Sequence, residues 1–588
     1  MRRLVSAALV VLCAAAAAAA PSIPEILPAS SFIVAGTPNL TALREGFQRT
    51  PFWRLWEEPE IQAFLKPLVD KVNERLQSGA QPPLLTAQEF FDLFPAQVYG
   101  GIIRISDVDG HPDVGLFFAA ETSHPERVTD LVDKLIERSG AEQTRDTYTV
   151  RDVTISRNAL RWAEPASLPG APTQAQALPE VSTERTVTLH TAVFDGLVFL
   201  TIDEPLEGVI NNLRGGGGES LAQSASLRST SALSGNPDYQ LLLHINPAPF
   251  AAALAQGVPP SQNFNITALG LGDFQGLSDF TQFGPEATQS WLALSVGPNP
   301  VGLGRLLSHG GTGEFPALAW VPGNVATLSA LHYDMGAAWG TLRQLVQSVS
   351  PTFNNTLNSL LQTANQSLGF DIEGDLMTVL GSEIVSHGEI PESGSPTNAI
   401  ILGLRDPAKV QGVLARLAQP PVVGAAQVSG GSGMLEAKEY LGQTYYSPPS
   451  VFAQQSPGAA PQPAFAVIGD HLVFASAVSE MQRIIAANQG QMETPVTRSS
   501  LWERIQAHQV PRASGFGYQD DAQVMAASVQ ELQQMALFFM MMPGMSIPLD
   551  FTHVPSKEVF ERSLTHTVTS TRIEDSGLLI YSTSPNRE

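Results

Sequence analysis

In this chain of 588 residues, 56 acidic side chains against 33 basic ones leave a formal charge of −23, which argues against nucleic acid and anionic lipid headgroups as partners. Charged residues make up only 15% of the chain, while 49 glycines and 44 prolines favour turns and strands over long solvated helices. The one cysteine, Cys13, excludes an internal disulfide and, if the first twenty residues are removed, every thiolate ligand or cysteine nucleophile.

The first element reads as an export signal over 1–20. Arg2 and Arg3 precede an apolar run, 4–12, and the alanines of 14–20 supply a small-residue cleavage region before Pro21. Leu12 is too large for the position before a lipoprotein cysteine. The apolar run is also too short for a span of about 20 residues, so no transmembrane anchor is expected after cleavage. The expected destination is the bacterial periplasm or the medium.

A strand is expected over 31–36. A helix then starts at Pro59, with Ile61, Phe64, Leu65, Leu68, Val72 and Leu76 at helical spacing and a kink at Pro67. Thr86 and Glu89 form a capping box for a short helix that Pro95 ends. A strand at 114–120 leads into a helix opened by Pro125, with Val128, Leu131, Val132 and Leu135 on its apolar face. After a low-complexity loop, 164–179, Asp195-Gly196 marks a hairpin, and a helix through Ile210 stops at Gly215.

The second half follows a similar sequence of elements. Strand 325–331 precedes helices at 335–345 and 353–368. Asp371 caps a short helix, Gly381 terminates it, and strand 399–404 follows. Pro407 opens a helix with Val410, Val413, Leu414 and Leu417 inward. A loop at 447–463, the turn Gly469-Asp470 and a helix through Ile485 that stops at Gly490 complete the parallel. The last elements are a helix at 524–545, stopped by Pro543, and strands at 559–569 and 578–582.

Three pairs of segments match in order at an offset of about 275–282 residues. VGLFFAAETSHPERVTDLVDKL from Val114 answers AIILGLRDPAKVQGVLARL from Ala399. FDGLVFLTIDEPLEGVI from Phe194 answers IGDHLVFASAVSEMQRII from Ile468. SLRSTSALSGNPDYQ from Ser226 answers SLWERIQAHQVPRAS from Ser500. The expected fold is therefore α+β, in two duplicated units at 22–305 and 306–588, each a mostly antiparallel sheet with helices on one side. Val114 should lie over Ala399 and Leu197 over Leu472, to within about one residue.

Four segments carry a family resemblance: the opening strand motif at 28–40, the glycine-leucine junction GLGRLL at 302–307, FPALAWVP at 315–322 and the final strand at 575–585. Together they resemble a family of long secreted or envelope bacterial proteins of unknown function, built from two tandem related units. The resemblance implies architecture and carries no substrate, cofactor or catalytic residue.

Sites of chemistry are sparse. The eleven histidines are scattered, with no HExxH or HxH pair, and His190, His244 and His471 read as strand or turn residues. Asp107, Asp109 and Asp113 resemble part of a calcium loop but lack its later bidentate glutamate, and a hairpin turn explains the same residues without metal, so they are weak candidates only. Gly431-Ser432-Gly433 is a fragment of a nucleophile elbow, and 215–218 lacks the lysine of a phosphate loop. The 524–545 segment holds six of the twelve methionines. Its Met535, Phe538, Phe539, Met541 and Met542 are candidates for a hydrophobic contact, with plain core packing as the competing reading. The functional expectation is an exported, non-enzymatic binding or scaffold protein without a cofactor. Its partner would be a hydrophobic ligand, lying between helices and sheet, or an envelope protein. The alternative is a secreted hydrolase, which requires Asp, His or Ser converging in one pocket.

Overall fold

The computed structural model describes residues 21–78, 84–108, 111–162, 185–216, 218–257, 264–391, 395–419, 434–449, 462–491, 494–540 and 548–586. The chain folds as α+β, and its contacts divide it into two compact units. Unit 1 comprises Met1–Glu45, Glu74–Gly257 and Gln275–Gln282. Unit 2 comprises Gly46–Asn73, Val258–Phe274 and Phe283–Glu588.

Nine strands form the antiparallel sheet of unit 1: β1 (Ile33–Thr37), β2 (Val98–Val108), β3 (His111–Glu121), β4 (Glu142–Val150), β5 (Val153–Trp162), β6 (Arg185–Phe194), β7 (Leu197–Ile202), β8 (Leu241–Ile245) and β9 (Phe274–Phe283). Their spatial order is β4-β5-β6-β7-β3-β2-β1-β8-β9. The turns follow the expected chemistry. Asp195 and Gly196 both adopt positive φ between β6 and β7, as a two-residue hairpin of the strand-matching hand requires. Pro125 occupies the first turn of helix Pro125–Ser139, and Gly140 closes it in the left-handed region. The Thr86–Glu89 capping box is formed in both directions, with the helix ending at Leu93.

Helices cover both faces of this sheet, not one. On one face, Val128 joins Leu93, Phe94, Ala120 and Val198, and Val132 and Ile136 pack with Leu160 and Leu189. Leu135, expected inward, is 51% exposed because Ile136 takes the inner position. On the other face, helix Ala225–Leu233 docks on β8 and β9 through Ser226 and Thr230.

Unit 2 adds β10 (Ala287–Val296), β11 (Thr327–His332), β12 (Leu380–Glu389), β13 (Thr397–Leu404), β14 (Glu436–Tyr440), β15 (Gln443–Ser447), β16 (Ala464–Ile468), β17 (His471–Ala475), β18 (Gly515–Asp520), β19 (His566–Glu574) and β20 (Gly577–Pro585). Their order is β14-β15-β16-β17-β13-β12-β11-β18-β19-β20-β10, antiparallel throughout. The first nine strands in this order follow the sequence of connections found in unit 1. Smaller features also correspond. The bridge Pro28↔Ser220 in unit 1 has a counterpart in Pro322↔Pro495 in unit 2. The bond from Leu221 N–H to the Leu27 carbonyl has one in Val496 to Val321.

The ladders give the register between the units. Leu197 and His471 each open the strand after a hairpin turn, and Phe117 and Ala399 take equivalent places on the neighbouring strand. Aligned by strand order, Leu197 falls within one residue of the expected match to Leu472, whereas Val114 falls three residues from Ala399. Two further elements differ. Gly381 lies inside β12 and does not stop a helix. Residues Lys557–Ser563 are helical where a strand was expected, because Val559, Phe560, Ser563 and Leu564 are buried together at helical spacing.

Candidate functional site

The most elaborate polar surface in unit 1 grows out of strand pairing. The ladders set Asp146 of β4 opposite Arg157 of β5, and Arg157 opposite His190 of β6. Tyr148 and Thr188 stand two residues along on the same face. Beyond β7 the chain turns at Asp203, whose φ of 55° departs from the strand. Its N–H donates to the Thr188 carbonyl, and its carboxylate accepts from the Thr188 N–H at 2.7 Å, which pins the turn against β6. Arg104 reaches in from β2. Its Nε lies 2.5 Å from Glu204 Oε2, its Nη1 2.5 Å from Asp113 Oδ2, and its Nη2 donates to the Asp203 carbonyl at 2.8 Å. These groups other than Glu204, with Glu207 at the start of helix Glu207–Leu213, line a cavity of about 710 Å³.

The electrostatics of this cavity are uneven. Asp113, Asp146, Asp203 and Glu207 face only Arg104 and Arg157. The hydrogen bonds from Arg104 to Asp113 and Glu204 hold its guanidinium firmly charged. The Tyr148 hydroxyl lies 3.1 Å from His190 Nδ1. Burial pushes Tyr148 up to about 12 and, despite the Glu207 charge, pushes His190 down, so both rings are neutral near pH 7. The buried Oε2 of Glu207 accepts no hydrogen bond from any described residue.

A second constellation resembles a nucleophile and base. Ser226 Oγ lies 3.0 Å from His244 Nε2, His244 Nδ1 lies 2.8 Å from Ser278 Oγ, and Thr230 Oγ1 lies 2.6 Å from the same Ser278 oxygen. All four side chains are buried, and burial pushes His244 down to about 4. Sealed from solvent, with a hydroxyl where a triad keeps its carboxylate, the network fastens a helix to β8 and β9. Unit 2 buries a charged counterpart. His387 Nε2 donates to Glu480 at 2.8 Å, and Arg483 binds both Glu480 and, at 2.5 Å, Glu389. Nearby, His471 sits 2.9 Å from Glu383 and 2.7 Å from Asp470, with its ring edge-on to Trp320.

On the face of the unit 1 sheet opposite the cavity, the strands from β8 to β7 carry an apolar row, with polar residues such as Asn158 and Arg145 only at the β4–β5 end of that row. Ile245, Ile33, Ile102, Leu116 and Ile202 form one cross-strand row, and Leu243 and Ala35 start the next. Leu116, Leu241 and Leu243 are 40%, 38% and 43% exposed, whereas Val34, Phe117 and Leu242 on the opposite face are buried. Helix Pro247–Gly257 touches β2 on one side of this strip, and Pro125–Ser139 touches β7 on the other. Phe250 of the former helix stacks on Phe32.

Of the residues singled out from sequence, Asp113 and His190 line the cavity, while His244 and His471 belong to the buried networks. Asp113 is the only calcium-loop candidate whose side chain is among the described residues. It belongs to the β2–β3 hairpin, where it pairs with Ser106 and binds Arg104. Asp109 and the Asp107 side chain lie outside the described residues. Among the described residues, no three acidic, histidine or cysteine side chains are placed to hold a metal ion. Met535 is 47% exposed on helix Asp521–Met540, whose buried side is Ala522, Ala526 and Val529 against Ile61, Phe64 and Phe560. The side chains of Phe538 and Phe539, and Met541 and Met542 altogether, lie outside the described residues, as does 431–433. The buried ionic network of β12 had a signal in sequence: Glu383, His387 and Glu389 recur at even spacing through SEIVSHGE and so share one face.

No protein-family model matches the chain, and no curated protein matches it. Among solved structures it is similar to crystal form I of TP0453, at 10% identity and a TM-score of 0.20, over 48% of this chain and 80% of that one. Crystal form III gives 12% identity and 0.21, over 50% and 91%. Likeness at this level carries nothing further. No described helix is long and apolar enough to cross a membrane.

Proposed function

We propose that this chain is an exported, non-enzymatic binding protein of the bacterial cell envelope, built from two copies of one α+β unit, and that unit 1 receives a hydrophobic ligand. The observation that carries the ligand is the apolar strip of Leu116, Leu241 and Leu243 with the isoleucine row beside it. An antiparallel strand with one face in the core ordinarily turns polar residues outward. Here the outward positions are leucine and isoleucine. Helix Pro125–Ser139 packs on the Ile202 end of this face, but Leu116, Leu241 and Leu243 beyond it remain exposed, which suits an apolar molecule laid on the sheet. The duplication is supported by the common strand order and by the matching bridges at Pro28 and Pro322. Export rests on the charge and hydropathy pattern of 1–20.

A neutral fluorescent probe, N-phenyl-1-naphthylamine, tests the reading. The parent should bind it saturably, and Leu243→Asp and Leu116→Asp should each weaken binding at least tenfold. Both positions are substantially exposed, so stability should change by only about 0.5 kcal/mol. Variants that bind the probe like the parent would sink the assignment of the strip.

A further inference from the structure

We infer that the polar cavity of unit 1 is a binding site for an organic cation, a primary amine or a diamine. Three observations lead there, none involving the apolar strip. The first is an unused acceptor. Glu207 Oε2 is buried at the cavity wall and receives no donor from any described residue, and a buried carboxylate oxygen ordinarily has one. The second is that the protein's own cations there already have carboxylate partners. Arg104 is committed to Glu204, Asp113 and the Asp203 carbonyl, while Arg157 lies 3.7 Å from Asp146. Among the described residues, neither Asp203 nor Glu207 has an ion-pair partner, so the missing donor should carry positive charge. The third is that a metal ion does not fit, since among the described residues no three ligating side chains converge. An ammonium group needs no such convergence. Its three donors can be shared between Glu207 and scattered oxygens such as those of Tyr148 and Thr188, which line the same cavity.

The cavity belongs to unit 1 alone. At the places that Asp146, Arg157 and His190 occupy in their ladders, unit 2 has Glu436, Ser447 and Ala464. The cross-strand row that builds the site is therefore not part of the scaffold common to both units.

Calorimetric titration of the full chain with 1,4-diaminobutane in 150 mM salt tests the inference, with glutarate as the anionic control. The expected result is saturation at one equivalent for the diamine and no binding of glutarate. Glu207→Gln should weaken the diamine at least tenfold while the free variant melts no lower than the parent, because it removes a charge that has no partner. Asp146→Asn, at a half-exposed position, should weaken it about threefold. Diffuse uptake of many equivalents, unchanged affinity in either variant, or a free Glu207→Gln protein that melts well below the parent or fails to fold would each overturn the assignment.

Discussion

Replacing Glu480 by alanine is expected to destabilise unit 2 by about 3–5 kcal/mol, the cost of removing one member of a buried ionic pair. Glu480 is 2% exposed, and the His387 side chain that donates to it is fully buried. Burial opposes its ionisation, but the hydrogen bonds and charges of His387 and Arg483 outweigh that and hold its carboxyl below the usual range. Without it, His387 loses its Nε2 acceptor and Arg483 keeps only Glu389. Most of the cost is orphaned polarity and not the worth of the pair. The double variant His387→Leu/Glu480→Leu should therefore recover much of the loss. Tryptophan fluorescence in a urea titration reads this cleanly, since Trp162 is the single tryptophan of unit 1. A shift of under 1 kcal/mol for Glu480→Ala would mean that the network is solvated.

Acidification should loosen unit 1. Burial holds His244 down at about 4 when folded, against about 6.5 when unfolded. Between those values the unfolded chain binds the extra proton, so stability falls as pH drops through 6.5 towards 4. By pH 5 the loss from His244 is about 2 kcal/mol, and His190, pushed down mainly by burial, adds a loss of the same sign. Unit 2 contains a histidine of opposite sense. Burial disfavours the His471 charge, but Glu383 and Asp470 prevail and raise it, so its contribution is full below 6.5 and is lost as pH rises through its folded value. Hydrogen exchange of β1 and β8, corrected for intrinsic rates, should rise at pH 5 relative to pH 7. In His244→Gln that pH dependence should largely flatten. Equal pH dependence in parent and variant would rule out His244 as its source.

Much of the scaffold could be read from sequence because it rests on local chemistry. The Thr86–Glu89 box, Pro125 and Pro407 at first turns, and the glycines at 196 and 469 each act within a few residues. Errors arose where burial overrode local pattern. Leu135 gave way to Ile136, and Lys557–Ser563 form a helix packed against Asp521–Met540 where a strand was expected. The cavity was not legible, because Arg104, Asp146, His190 and Glu207 come from separate strands and a helix, and only the ladders bring them together. His387 and Glu480 lie 93 residues apart and share no spacing rule. The apolar strip escaped for a related reason. Its side chains look like core in LLLHI and FIVA, and exposure is a property of what fails to cover them.

The most direct measurement of the central claim is mass spectrometry of organic extracts from the natively purified protein. Parent and Leu243→Asp proteins should be prepared side by side and matched for fold by circular dichroism. The account predicts a stoichiometric apolar molecule in the parent extract and its absence from the variant. An extract free of apolar molecules, or the same molecule at the same stoichiometry in both, would contradict it.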